Sequence, residues 1–273
     1  MTLAHTLPCR PVVVTAPAWL AIHALALWPQ GAWAARRIAD GSDDPLGVAA
    51  LAVLLLWLWQ ARESLRATPR LTWLGAAGAL TVAATTSLFF VPPLAAALLA
   101  ALAISAHVVA WLPDRAPRAA LAGLILLALP LIASLQFYAG YPLRVFTAQF
   151  SAWLLQAAGI AAERSGTAMT VNAQLIVVDA PCSGVQMAWL AYFAACCVAL
   201  FARRSDNAFL RRLPLVGLLV LTGNVLRNTT LVALEAQQRL APWAHEAIGI
   251  VWLLVVIGLA VRLMAPRRLG VTA

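Results

Sequence analysis

Apolar residues run through the chain in long blocks, separated by short clusters rich in arginine, proline and glycine. A helix needs about 20 largely apolar residues to cross a bilayer core about 30 Å thick. By that measure the pattern predicts eight spans, over 12–33, 46–60, 71–90, 94–112, 119–137, 183–202, 213–235 and 245–264. Pro17, His23 and Pro29 interrupt the first, which also lacks the compact apolar region and small-residue cleavage site of a signal peptide. No polar linker divides the blocks, so residues 1–273 read as a single integral membrane domain. The fold class is all-α: a polytopic transmembrane helical bundle of about eight spans.

One long loop, 138–181, separates spans five and six. In its first part Phe146, Phe150, Trp153, Leu154 and Ala157 fall on one face of a helix, while Gln149, Ser151 and Gln156 fall off it. That predicts an amphipathic helix lying in the membrane interface. The stretch 170–178 is rich in β-branched residues and partly alternates, predicting a short strand or hairpin. It ends at Asp179-Ala-Pro-Cys182, directly before span six.

Composition agrees. Apolar residues make up 63% of the chain and charged ones 11%, with mean hydropathy +0.87. A soluble domain is about half apolar and about a quarter charged, so a cytosolic enzyme, a disordered chain and a secreted disulfide scaffold are all excluded. The 19 basic residues are all arginine and outnumber 10 acidic ones, giving +9. With the N-terminus in the cytoplasm, thirteen of the 19 arginines fall in cytoplasmic segments, five outside, and Arg227 inside a span. The positive-inside bias therefore accounts for the charge with no nucleic-acid partner. It also puts both termini in the cytoplasm and the 138–181 loop outside.

Chemistry concentrates in the region 138–264. In span seven Asn224, Arg227, Asn228, Leu231 and Glu235 follow i, i+3, i+4, i+7, i+11, so four polar groups share one stripe. Ionisable residues inside a membrane are costly and face a partner or a cavity. The stripe alone also fits a snorkelling arginine satisfied by Asn and carbonyl groups. Cys182 stands at the outer mouth of span six, where a helix N-terminus favours a thiolate. Cys196 and Cys197 lie deeper among Ala, Val and Leu and read as small apolar residues. His245 opens span eight at the outer side; His23 and His107 are isolated in otherwise apolar spans and read as structural. His245-Glu246 begins like HExxH, but position 249 is Gly, so no metal site follows.

Spans joined by short connections are neighbours, which brings Cys182, Arg227 and His245 to one outer pocket. Cysteine and histidine supply a nucleophile and its acid/base partner, and a cation stabilises a thiolate or an oxyanion. That points to acyl transfer at the outer membrane surface. Ser183 is expected to cap span six, Gly184 to admit substrate backbone, Gln186 to line the pocket, Asn224 to orient Arg227, and Asp179 to pair with Arg227 or Arg164. The alternative is a multi-span transporter or channel component that uses Arg227 for an anionic substrate.

Cys182-Ser183-Gly184, then Asn224-Val-Leu-Arg227, then His245 with Gly249 four residues later, resemble the exosortase/archaeosortase family of membrane cysteine transpeptidases. The resemblance covers about residues 140–264, and the first four spans match only in hydrophobicity. It differs before the cysteine, where a Glu often stands two residues ahead and here Asp179 stands three ahead. The resemblance implies Cys182 as nucleophile, His245 as proton carrier and Arg227 as stabiliser of the thiolate or tetrahedral intermediate. It implies no cofactor and, as substrate, a membrane-anchored exported protein with a C-terminal sorting tail: a short motif such as Pro-Glu-Pro (the PEP-CTERM type), a transmembrane helix and a basic cluster. It further implies a surface glycan or lipid acceptor; an outer-facing site whose cysteine must stay a free thiol, with no disulfide pattern in the chain, points to a bacterial plasma membrane.

Overall fold

The computed structural model describes residues 16–236 and 241–266. The first expected span before residue 16 lies outside them, as do Cys9, Arg239, Arg267 and Arg268. Helices α1 (Ala16–Ala26) and α2 (Trp28–Ala39) replace that span. They break at Leu27, where Pro29 in the first turn of α2 withholds a backbone N–H. Helices α3 (Leu46–Ala61), α4 (Leu71–Ser87) and α5 (Pro93–Trp111) follow the expected spans closely.

The fifth expected span departs from the pattern. Helix α6 (Arg118–Leu127) stops after ten residues, and the chain resumes as α7 (Ile132–Leu135), a π-helical turn (Gln136–Gly140) and α8 (Tyr141–Ala157). The two halves meet at 87°. Pro130 lies in the break and cannot continue the helical hydrogen-bond ladder. Beyond α8 the expected short strand is a three-stranded antiparallel sheet: β1 (Ala162–Ser165), β2 (Ala168–Val171) and β3 (Gln174–Val177). Ala162 pairs with Val171, and Thr170 with Leu175. A 3-10 turn (Ala180–Ser183) leads into α9 (Val185–Phe201), followed by α10 (Asp206–Leu210), α11 (Leu213–Glu235) and α12 (Pro242–Met264).

The chain is a helical membrane protein. Among the described residues, four stretches are each long and apolar enough to cross a bilayer: Leu46–Ser64, Pro93–Trp111, Asp206–Glu235 and Trp243–Met264; the bent pair makes a fifth if counted as one crossing. The other expected spans fall on shorter or interrupted helices. Large apolar side chains such as Leu55, Leu218 and Leu254 are left exposed, as a hydrocarbon surround requires. Between helices the contacts are small: Ala77, Ala84, Ala96 and Ala103 are fully buried where α4 and α5 pack, which lets the two backbones approach closely.

The bundle also joins two histidines that look isolated in sequence. His23 Nδ1 lies 2.8 Å from Thr81 Oγ1, and its ring centroid lies 4.9 Å from that of His107. Helix α8 packs its small residues and two hydroxyls inward, not its aromatic stripe. Thr147, Ala148, Ser151, Ala152 and Leu155 are buried, while Phe146, Phe150, Trp153 and Leu154 face outward, where an interface would take them.

Candidate active site

The cysteine turn is held from behind by α11. Asn224 Nδ2 donates to the carbonyl of Cys182 at 3.0 Å and to Thr147 Oγ1 of α8 at 3.0 Å. Asn228 Nδ2 donates to the same Cys182 carbonyl at 3.3 Å and to Asn224 O at 2.9 Å. Arg227 Nη1 donates to Pro181 O at 3.4 Å. The polar stripe of span seven therefore grips two successive carbonyls of the turn. From the other side Gln136 Nε2 donates to Ala180 O at 3.0 Å.

Gly184 closes the turn at φ +85°, a backbone conformation that L-residues rarely adopt. A Cβ there would lie 2.9 Å from Asn224 Cγ. The backbone that Gly184 lets approach is thus held against the protein's own Asn224, and Gly184 also lines the cleft described below. The N-cap of α9 is Gly184, with no side-chain cap; Ser183 stands one residue earlier than a capping residue would, and its Oγ accepts from Val185 N–H at 3.3 Å.

A cleft of about 540 Å³ opens beside this turn. Pro181, Gly184, Gln186, Arg227, His245 and Glu246 line its polar end; Met187, Leu190, Ile250 and Leu253 line the apolar end. His245 and Gly249 lie one turn apart on α12, and the Nε–Nη2 edge of the Arg227 guanidinium packs against Gly249: a Cβ there would lie 3.3 Å from both nitrogens. Arg227 and His245 therefore share one pocket, as their order along the chain predicts.

Cys182 is not itself among the lining residues. It is 8% exposed and packs in the small core beneath the sheet with Met169, Val171, Ile176 and Val178. Burial pushes its thiol above the ordinary range; the Arg227 guanidinium pulls it back down, and the Asp179 carboxylate pushes it up. Burial outweighs the arginine, so the resting thiol is protonated more firmly than a free cysteine. The thiolate expected from a helix N-terminus alone is not favoured here, because desolvation of the anion costs more than the dipole and the cation return.

The supporting residues sort clearly. Gln186 lines the cleft and donates to Asp44 Oδ2, in the α2–α3 loop, at 2.8 Å. Asp179 accepts the Cys182 N–H through its backbone carbonyl at 2.9 Å. It pairs with neither of its expected partners. Arg164 bonds instead to Gln149 Oε1 and Gly166 O, and Arg227 reaches Pro181 O. Sequence reasoning missed Thr147, Asp44 and the clamping role of Asn228. For Asn228 the stripe was the available signal; for Thr147 and Asp44 the sequence carries none, since each lies on a distant element.

A polytopic helical membrane protein with a cysteine before α9, an arginine within α11 and a histidine in the first turn of α12 is the class this site defines. Residues 33–262 match the model of the transmembrane exosortases (Exosortase_EpsH), and the chain belongs to that family. No curated protein and no solved structure matches it.

Proposed function

We propose that the protein is a cysteine transpeptidase that cleaves the C-terminal sorting tail of exported, membrane-anchored proteins through a thioester on Cys182. The observation that carries this reading is the cleft in which Arg227 and His245 meet beside the cysteine turn, with Arg227 reaching back to that turn. Family membership supports it.

A thiol held protonated by burial needs a base, and arginine cannot act as one. His245 therefore takes the Cys182 proton as sulfur attacks the scissile carbonyl. Arg227 stabilises the oxyanion of the tetrahedral intermediate; its Nε–H has no hydrogen-bond partner among the described residues. Collapse breaks the C–N bond, the leaving amine takes the proton from His245, and the acyl group stays on Cys182 as a thioester. An amine on a surface glycan or lipid, or water, then attacks the thioester and releases the thiol. The apolar end of the cleft suits the start of the tail's transmembrane helix, and the polar end its short motif. The active face is the outer side of a bacterial plasma membrane.

The test is mass spectrometry of the C-termini of co-expressed surface proteins carrying such a tail. Tails lost with the intact enzyme and kept with Cys182→Ala, Arg227→Ala and His245→Ala are the expected result. Unchanged processing with Cys182→Ala refutes the nucleophile.

A further inference from the structure

A second cleft, of about 520 Å³, lies at the end of the bundle opposite the cysteine turn. Helix α9 begins at the active-site turn and ends here, 17 residues later, which separates the two clefts by about 25 Å. The walls come from the end of α3, the α5–α6 connection and the end of α9. Trp57 and Phe201 supply apolar surface, Gln60 an amide, and Arg115 and Arg203 two guanidinium groups.

Those two cations have no counter-ion among the described residues. The nearby carboxylates are already engaged: Glu63 pairs with Arg62, and Asp114 with Arg66 and Arg70. Arg203 is also placed against its own backbone preference. It follows α9 at φ +48°, the left-handed position where a helix normally ends in glycine, with its N–H on Leu200 O. Glycine would take that conformation freely, so the arginine side chain is present in spite of the backbone. Guanidinium forks match phosphate oxygens bidentately. Basic pockets between transmembrane helices at a membrane surface bind lipid head groups.

The geometry points to a binding site for an anionic phospholipid, its phosphate held by Arg115 and Arg203 and the start of its acyl chains lying on Trp57 and Phe201. The apolar wall is what selects a lipid over a soluble phosphate. The site is independent of the chemistry at Cys182 and lies in the opposite leaflet.

Native mass spectrometry of the purified full-length protein, titrated with phosphatidylglycerol, phosphatidylcholine or inorganic phosphate, tests it. Phosphatidylglycerol should be retained well above phosphatidylcholine. Arg203→Gly and Arg115→Gln should each weaken that retention about fivefold, and together about 25-fold, from the typical contribution of one arginine at an anionic surface. Arg203→Gly relieves the left-handed strain, so its melting temperature should equal or exceed the parent's, which separates lost binding from lost folding. Equal retention of the two lipids, or full retention by the double variant, overturns the site. Displacement of the lipid by an equal concentration of inorganic phosphate overturns the lipid assignment in favour of a soluble phosphate.

Discussion

Gly184→Ala tests how rigidly the cysteine turn must be held. Forcing an L-residue to φ +85° costs about 1–2 kcal/mol. The new Cβ would also stand 2.9 Å from Asn224 Cγ and 3.2 Å from its Cβ. Asn224 is fixed between Thr147 and the Cys182 carbonyl, so it can move aside only by giving up those two bonds, each worth about 1 kcal/mol. The total is about 3–4 kcal/mol, borne by the turn that carries Cys182. Thermal unfolding of the purified protein, run beside processing of a co-expressed tail-bearing substrate, reads both consequences. The melting temperature should fall by several degrees and processing by more than tenfold. Adding Asn224→Ala removes the closest contact but leaves the backbone strain, so the two changes together should cost less than their sum. A G184A protein with the parent's melting temperature and processing rate would refute the rigid-turn argument.

Three further outcomes follow from the same geometry. Asn224→Ala and Asn228→Ala each leave the buried Cys182 carbonyl one donor, so each should cost about 1 kcal/mol, while the double variant orphans it and should cost more than the sum; additive losses in melting temperature would show that the clamp does not act as a unit. Alkylation of Cys182 by iodoacetamide should accelerate as pH rises past the ordinary thiol range. Arg227→Gln removes the group that favours the thiolate and should move that profile to higher pH, whereas Asp179→Asn removes one that disfavours it and should move it lower; shifts in the same direction would contradict the assignment. Gly249→Ala sets a Cβ 3.3 Å from the Arg227 guanidinium, so processing should drop several-fold with little change in melting temperature, and an unchanged rate would mean that the seating of Arg227 on α12 is not required.

Much of the architecture was legible in the runs of apolar residues because a bilayer sets a fixed length for them. Helices α3, α5 and α11 begin and end within a residue or two of where the pattern puts them. The fifth span was not legible as a break. Its residues are apolar on both sides of Pro130, and hydropathy carries no information about direction, so an 87° turn reads as one continuous run. Helix α8 shows how the amphipathic rule changes in a membrane protein. Its aromatic stripe was visible in sequence, but the packed face is the one with Thr147 and Ser151, because lipid accepts the aromatic side and the protein interior satisfies the hydroxyls. The order Cys182, Arg227, His245 was legible because each residue is unusual for its place. Their supports were not: Thr147 meets Asn224 across 77 positions and Asp44 meets Gln186 across 142, distances over which one sequence carries no pairing signal.

The cysteine turn combines a fixed backbone with a shielded side chain, two features that the proposed reaction requires together. Its backbone is fixed by amide and guanidinium donors from α11, which a polar environment supplies. Its side chain sits in apolar surroundings under the sheet, which keep the thiol neutral and shield it from oxidants. Arg227 bridges the two: it reaches the turn at Pro181, acts on the Cys182 thiol and lies against Gly249 one helical turn from His245. A neutral buried thiol is a poor nucleophile, so the proposed reaction requires a base, the role proposed for His245 on α12. In the proposed reaction the sheet and α8 are the cover that keeps Cys182 unreactive until a substrate occupies the cleft between α9, α11 and α12.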